Sequence, residues 1–388
     1  MDGDGVQRRL RAVAPPAAVF VVAFLVLALA LAFHDRRVGD SFDLVRWERD
    51  TIAGKWLYAI GAPLRHDPTP DEAIARYFAL GDRSSAEARR LEGAVEAAIA
   101  GRVDAVARAE GITGRLPLFG RLSVFPPVNL ELAAPPEVLV VSPRAVVRRD
   151  ETRLLRPGLA PSDAIALEAR VERDPTLSAL VVPSGGVATY PAVISNRASF
   201  RAALATAAHE WTHHYLAFYP LGRAYYRSHD AATINETVAD IVGDELAALA
   251  VERFGDPTAA AGAPSPTASP PVVAAPGRDA DQMLRELRIE VDALLAAGRV
   301  ADAEARMEAA RQELAAAGRP IRRINQAYFA WYGTYAARAD AVDPLGPELR
   351  DLRARAGSLA AFLAAVRGTS TREGVGRALV PADPTPAR

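Results

Sequence analysis

The chain has 388 residues, an apolar fraction of 50% and a formal net charge of −1. This length and apolar content suffice for one large domain or two ordinary domains with a buried core. The near-zero charge is not typical of nucleic-acid-binding proteins. The lack of cysteine excludes disulfides and thiolate metal sites.

An uninterrupted apolar run, residues 17–33, follows a short N-terminal tail, residues 1–16. Three arginines precede the run and two follow it, and its length is at the short end of what crosses a bilayer. We interpret it as a single transmembrane anchor; the alternative is a secretory signal that ends in a small-residue cleavage site. The expected location is a bacterial cell membrane with the main domain outside the cytoplasm, or the periplasm or exterior if the run is cleaved.

Helices are predicted for the next part of the chain. Residues 41–60 combine helical spacing with several aromatic side chains, and this face is expected to cover the main domain rather than to lie on the membrane. Residues 71–80 and 84–108 also repeat apolar positions at helical spacing. Proline, glycine and phenylalanine in residues 116–127 predict a loop.

Three strands are predicted at residues 137–142, 178–183 and 188–195, because each is a short apolar run with β-branched residues. A helix over residues 162–173 separates the first two strands. The third strand leads into a helix that begins at Ser199. The sequence therefore predicts a small mixed sheet beside that helix.

The helix after Ser199 contains a His-Glu-x-x-His motif. His209 and His213 are four residues apart, so their imidazoles lie on one helical face and can bind one metal ion. Glu210 lies next to that face, within reach of a water on the metal, which is the geometry a zinc hydrolase needs. His214 is one residue off the face and is expected to point away from the metal.

A second predicted helix, residues 233–254, follows a loop at residues 220–232 and contains the sequence Asn-Glu-Thr-Val-Ala-Asp. Two histidines do not complete a metal site, and the glutamate of this sequence, Glu236, is a candidate for a further ligand. Taken alone, Glu236 fits equally well a capping box with Thr233 at a helix start. Asp240, one turn later, fits an ordinary solvated helix residue.

Together the two motifs resemble those of the gluzincin metallopeptidases, which include thermolysin and the aminopeptidase N-like enzymes. The resemblance covers roughly residues 200–252, and it implies one Zn²⁺ per chain with His209, His213 and Glu236 as ligands. It also implies that Glu210 is the general base and that Asp240 orients a ligating histidine. A carboxylate on the far ring nitrogen fixes the tautomer of such a histidine.

The resemblance further implies that substrate pairs with an edge strand of the sheet, for which residues 187–192 are the candidate. The glycine pair before them would let a peptide approach closely; a plain hairpin turn is an equal alternative. No acidic residue occurs in residues 178–200, so a strict aminopeptidase is not favoured. Glu168 or Glu172 could come near this strand, but the two are more simply a solvated helix face.

Gluzincins often stabilise the transition state with a tyrosine or histidine from a C-terminal helical part. The aromatic run at residues 321–338 is typical of a helix core, but it also supplies candidates for this role. The candidates, here and nearer the motif, are His229, Tyr225, Tyr226, Tyr328, Tyr332 and Tyr335.

Residues 255–278 are rich in proline and alanine and predict a flexible linker. A helical C-terminal region, residues 279–367, is expected to open with an antiparallel hairpin that turns at Gly298. Residues 368–388 are predicted to be disordered.

The predicted fold is α+β and mostly helical, with a catalytic domain over residues 41–254 and one N-terminal transmembrane helix. The predicted function is a membrane-anchored zinc metallopeptidase that acts on a peptide or protein substrate and has no nucleic-acid partner. The alternative is a membrane-anchored scaffold or interaction protein with a structural or degenerate zinc site. Glu210 favours the enzyme, since a structural zinc has no use for a base.

Overall fold

The structure is a computed structural model that describes residues 40–44, 47, 51, 69–115, 122–259, 280–336, 338 and 341–379. The predicted anchor lies outside the described residues. Most of the predicted helix at 41–60 also lies outside them, as do residues 260–278 of the predicted linker and residues 380–388 of the predicted tail. Among the helices that are described, none is long and apolar enough to cross a membrane.

The described chain is mostly helical and contains two small three-stranded sheets and a two-stranded hairpin. The helices are α1 (Pro70–Ala79), α2 (Ala86–Ala109), α3 (Pro161–Val171), α4 (Phe200–Leu216), α5 (Pro220–Arg223), α6 (His229–Phe254), α7 (Ala280–Ala296), α8 (Val300–Ala316), α9 (Gln326–Tyr332), α10 (Leu345–Arg355), α11 (Leu359–Val366) and α12 (Arg372–Leu379). The strands are β1 (Gly114–Arg115), β2 (Leu122–Ser123), β3 (Leu130–Ala133), β4 (Glu137–Pro143), β5 (Glu151–Leu155), β6 (Leu177–Pro183), β7 (Gly186–Val187) and β8 (Ala192–Ser195).

The sheet beside the motif helix is mixed, as predicted. Its strand order is β3-β8-β7, with β3 parallel to β8 and β7 antiparallel to β8. The predicted strand at residues 188–195 is shorter in the structure, because the chain turns between β7 and β8. The edge strand is therefore β7, and most of residues 187–192 form the turn that follows it.

The second sheet has the order β5-β4-β6 and is antiparallel throughout. Successive residues of a strand face opposite sides of a sheet. Val138 and Val140 accordingly pack toward α7, α8 and α9, whereas Leu139 and Val141 pack toward α3. The sequence did not predict β5, whose first residues are exposed at the sheet edge, nor the short strand β3.

The largest core joins α1, α2, α4 and α6 to α10, α11 and α12. Trp211 on α4 is fully buried there and donates its indole N–H to the carbonyl of Pro126 at 2.8 Å. The hairpin helices α7 and α8 share their core with β4 and β6 instead. The two cores therefore do not follow the predicted division of the chain at residues 255–278.

Two predictions about the C-terminal region were wrong. Residues 372–379 form α12, and Val375 on this helix is buried, so this part of the predicted disordered tail is ordered. Arg372 at its start binds Asp343 at 2.6 Å and Asp230 at 2.9 Å. Within the described part of the aromatic run at 321–338, only α9 is helical, and it ends at Tyr332 with Gly333 as its C-cap.

Candidate metal centre

Helix α4 is fixed at its start by Ser199, whose hydroxyl accepts a hydrogen bond from the backbone N–H of Ala202 at 3.2 Å. This N-cap satisfies one of the free donors at the helix start. One side of the helix packs on the mixed sheet and the other on α6. His209 and His213 lie on the side toward α6, and each of their side chains is 15% exposed.

Helix α6 begins earlier than predicted. Ser228 is its N-cap and accepts from the N–H of Ala231 at 3.3 Å, and short helix α5 lies in the predicted loop before it. Thr233 is therefore inside the helix, where its hydroxyl donates to the carbonyl of His229 at 3.0 Å. This geometry excludes the capping box as the role of Glu236, which lies further inside α6.

Three potential ligand atoms meet between the two helices. The Nε2 atoms of His209 and His213 are 3.0 Å apart, and Oε2 of Glu236 is 3.5 Å from each of them. That carboxylate oxygen is buried and has no hydrogen-bond partner in the described chain. A buried, unpaired carboxylate oxygen is costly, and a cation bound by all three atoms would satisfy it.

Glu210 extends this group. The ligand atoms of His209, Glu210 and His213 all lie within 4.8 Å of one another, so these three residues can hold a metal ion. The Glu210 side chain is buried, and burial raises the pKa of its carboxyl above the ordinary value although the two imidazoles lower it. The carboxyl is thus held near the metal position with a raised proton affinity.

Both histidines are oriented through their other ring nitrogen. Nδ1 of His209 lies 3.0 Å from Oδ1 of Asp240, and Nδ1 of His213 lies 2.6 Å from Oδ1 of Asn235. With Nδ1–H donating in each case, the Nε2 lone pairs point to the shared position. Asp240 has the place that the resemblance implied. Asn235 was missed, although it directly precedes Glu236 in the motif.

Charge is balanced within this cluster. Burial alone lowers the pKa of His209, but the hydrogen bond to Asp240 and the nearby carboxylates of Glu236 and Glu210 outweigh burial and raise that pKa well above the ordinary value. Burial alone raises the pKa of Glu236, but the two imidazoles 3.5 Å from its Oε2, first that of His213 and then that of His209, hold this pKa well below the ordinary value. The imidazoles and the carboxylate of Glu236 therefore each favour the charged form of the other.

Gly186, in edge strand β7, is necessary for the position of Glu210. A Cβ atom on this glycine would lie 2.7 Å from Oε1 of Glu210 and 2.8 Å from the carbonyl oxygen of Val193. The sequence interpretation gave the glycine pair a role in the approach of a peptide. In the structure, Gly186 makes room for the carboxylate beside the metal position.

The structure separates the candidates for transition-state stabilisation. Tyr225 donates a hydrogen bond to Oε1 of Glu236, and the ring of Tyr335 lies 6.4 Å from the ring of His209. Tyr226 is 93% exposed and does not face the metal residues. The remaining candidates line a cavity of about 280 Å³ whose lining includes none of the metal-centre residues; they are His229, Tyr328 and Tyr332.

His214 points away from the metal position, as predicted. Its Nε2–H donates to the carbonyl of Thr189 at 2.7 Å, and its ring packs edge-on against Tyr190. Burial lowers the pKa of His214 to about 4, so this imidazole is neutral at physiological pH. It links α4 to the turn after β7 and is not a ligand.

Glu168 and Glu172 do not form the solvated face that was predicted. Glu168 is buried, accepts a hydrogen bond from the N–H of Val181 at 2.7 Å and pairs with Arg322. Glu172 pairs with Arg323 at 2.8 Å. Both residues thus attach α3 to the segment before α9, and neither takes part in the metal centre.

Arg149 was not identified from the sequence, where it is one of many arginines. Its guanidinium lies 5.7 Å from the ring centre of Tyr225 and 6.0 Å from that of Trp331. Burial alone lowers its pKa, but Tyr225 and Glu236 outweigh burial and raise it, so Arg149 is always charged. A cation therefore lies beside the tyrosine that binds Glu236.

No family model, curated protein or solved structure matches this chain. What the described residues define is a class of site, namely two histidines and a glutamate of one helix that can hold a metal ion, with Glu236 of the facing helix 3.5 Å from both histidines.

Proposed function

We propose that the chain is a zinc-dependent metallopeptidase of the gluzincin type. The observation that supports this most directly is the position of Glu236, whose buried Oε2 has no partner and lies 3.5 Å from the Nε2 atoms of both His209 and His213. Two imidazoles and one carboxylate are the ligand set of many catalytic zinc sites, which keep a further position open. With bonds of about 2.1 Å, the ligand atoms of a tetrahedral zinc lie roughly 3.4 Å apart, which is close to the spacing found here.

A zinc ion in this place supplies Lewis-acid chemistry, since it polarises a carbonyl and makes water more acidic. The protein supplies the orientation. Asp240 and Asn235 hold the two imidazoles, and Tyr225 holds the second oxygen of Glu236, so all three ligands are fixed before a metal arrives. Such partners of ligands tune metal affinity and geometry.

Glu210 acts as the proton carrier in the proposed reaction. It takes a proton from the attacking water as the new C–O bond forms. It then delivers this proton to the leaving amine as the amide C–N bond breaks. Its raised pKa suits a group that must first accept and then release a proton. Tyr335, beside His209, is the better-placed of the tyrosines to donate to the developing oxyanion, because Tyr225 already binds Glu236.

We further propose that the apolar run at residues 17–33 anchors the enzyme in a membrane with the metal centre outside. This part of the proposal has its basis in the sequence alone. The substrates are peptides or proteins that reach this side of the membrane.

The test compares the full-length wild type with Glu210→Gln and with Glu252→Gln, a control on the exposed side of α6. We expect about one zinc per chain in all three proteins, and cleavage of a peptide library by the wild type and the control only. Loss of a general base lowers the rate by about 10²–10⁴-fold. Full activity of Glu210→Gln would exclude the mechanism. A wild type that holds no zinc under metal-replete conditions would favour the scaffold alternative.

A further inference from the structure

Arg149 differs from the arginines around it in the chain, because it forms no ion pair with any carboxylate of the described residues. Its side chain is half-buried, whereas the adjacent Arg148 is exposed. The neighbouring arginines all have acidic partners; the pairs are Arg144–Glu304, Arg148–Asp150, Arg153–Glu151 and Arg156–Asp163. A half-buried guanidinium without a carboxylate in direct contact is unusual for a group with five hydrogen-bond donors.

Arg149 forms a side-chain hydrogen bond with Tyr225, and the other N–H groups of its five-donor guanidinium remain available to a ligand. Its close aromatic neighbours are Tyr225 and Trp331, which offer ring faces and not carboxylates. Aromatic faces stabilise a guanidinium without occupying its N–H groups. The fork of N–H donors on arginine matches a carboxylate, which it binds through two parallel hydrogen bonds.

Arg149 is also close to the metal centre. Tyr225 lies between Arg149 and Glu236, because it contacts the guanidinium with its ring and donates its hydroxyl to the carboxylate. The ring of Tyr225 is 6.1 Å from the ring of His213. A group bound by Arg149 would therefore lie one aromatic side chain away from the metal ligands.

Space for the rest of a ligand exists on the same side. Val147, two residues before Arg149, lines the cavity of about 280 Å³ together with His229 and Tyr332. The charge of Arg149 reaches His229, whose pKa is lowered first by burial and then by this arginine. The guanidinium thus acts on a residue that lines the cavity, and Tyr225 joins it to Glu236.

We infer that Arg149 binds a carboxylate of the substrate, so that the enzyme selects peptides with a carboxylate close to the bond that is cleaved. This carboxylate is either the C-terminus of the peptide or the side chain of an aspartate or glutamate. The inference rests on the proposed peptidase function, because it names the substrate class of the same site. Arg149 is thereby a specificity-determining residue and not a proton donor or acceptor.

The first experiment measures cleavage of matched peptide pairs by the full chain. One pair differs only in a C-terminal carboxylate against an amide, and the other only in an internal aspartate against asparagine. We expect the wild type to favour the acidic member of one pair by at least about 10-fold in kcat/KM, since charge-assisted hydrogen bonds are the strong ones. The pair that shows the preference identifies the source of the carboxylate.

Three variants separate recognition from structure. Arg149→Gln should bring the ratio within the preferred pair close to one, mainly by raising KM for the acidic peptide. Arg149→Lys should retain part of the ratio, because lysine keeps the charge but loses the two parallel hydrogen bonds. Arg148→Gln is the matched control, one residue away and paired with Asp150, and should keep the full ratio.

Two results overturn the inference. A wild-type ratio near one for both pairs means that no carboxylate is recognised. An equal loss on both members of the preferred pair in Arg149→Gln, with lower zinc content, means that the arginine acts only through Tyr225 on Glu236.

A binding measurement distinguishes this inference from the peptidase proposal. Zinc-loaded Glu210→Gln is titrated by calorimetry with acetyl-tetra-alanine as the free acid and as the amide, and with acetyl-Ala-Ala-Asp-Ala amide against its asparagine counterpart. Tighter binding of one acidic member, lost in Glu210→Gln with Arg149→Gln, supports the carboxylate site whether or not the wild type cleaves peptides. Cleavage by the wild type with no such binding preference keeps the peptidase and removes the carboxylate site.

Discussion

Two pairs of packed helices in this molecule bury very different side chains. The pair α7 and α8, joined by the turn at Gly298, meets the sheet through apolar residues, which include Leu284, Leu287, Val291, Met307 and Leu314. The pair α4 and α6 also has a large apolar core, but polar residues are buried between and around its helices, namely Glu210, Thr212, Thr233, Asn235 and Glu236.

The difference shows which pair has a role beyond stability. An apolar interface needs no further partner, since burial alone favours it. A buried polar group costs free energy unless it is hydrogen-bonded. The buried threonines and Asn235 are hydrogen-bonded within the pair, whereas Nδ1 of His214 and the carboxylate oxygen Oε2 of Glu236 have no partner in the described chain. A fold that needed α4 and α6 only as a core would have no reason to retain that carboxylate.

The largest expected effect on zinc affinity comes from removing the unpartnered carboxylate of Glu236 between α4 and α6. Glu236→Ala removes one of the three proposed ligand atoms, and we expect zinc affinity to fall by more than about 100-fold, beyond what loss of a ligand's hydrogen-bond partner costs. Zinc content after dialysis against a metal buffer measures this. Glu245→Ala, on the same helix and paired with Arg353, is the control and should keep its zinc. Equal zinc in both variants would remove Glu236 from the ligand set.

The apolar pair should respond in the opposite way. Leu287 on α7 is 1% exposed, and Leu287→Ala should lower the free energy of unfolding by about 2–5 kcal/mol through lost burial and a cavity. Zinc affinity of the folded protein should not change. Ile289 on the same helix is 56% exposed, so Ile289→Ala should change stability by less than about 0.5 kcal/mol. Denaturant unfolding followed beside metal titration tests both statements.

The helix pair α7 and α8 was predicted more accurately from the sequence than the pair α4 and α6. The hairpin of α7 and α8 follows from apolar spacing and from Gly298, which has a positive φ of 73°. The motif histidines follow from helical spacing, because a local period fixes which side chains share a face. The start of α6 was misplaced, because Ser228 and Thr233 are both acceptable residues for a helix start and only the surrounding packing decides between them.

Contacts between segments that are distant in the chain could not be predicted from local sequence patterns. Arg149 reaches Tyr225 across the fold, and nothing in the local pattern distinguishes it from the paired arginines beside it. Asn235 could have been suspected, since it stands one residue before Glu236, but its bond to His213 depends on how α6 is rotated against α4. The short strands β3 and β5 gain their partners only from the sheets that they join.

A smaller effect on zinc affinity is expected at Gly243 on α6, where the backbone of this helix lies close to α4. A Cβ atom there would lie 2.9 Å from the carbonyl oxygen of Ala205 and 3.1 Å from Cβ of His209. Gly243→Ala should therefore displace α4 slightly and weaken zinc binding by less than about 10-fold, the lower end for changes around metal ligands. The better helix propensity of alanine, about 1 kcal/mol, offsets part of the strain in the unfolding free energy.

Gly101 provides the matched test of that reasoning. It lies in the exposed part of α2, and a Cβ atom there would meet no atom within 4 Å. Gly101→Ala should therefore stabilise the protein by about 0.5–1 kcal/mol and leave zinc affinity unchanged. The two alanine variants share the gain in propensity, so the difference between them isolates the contact between α4 and α6. If Gly243→Ala were as stable as Gly101→Ala and bound zinc as tightly as the wild type, the ligand geometry would not depend on this close approach.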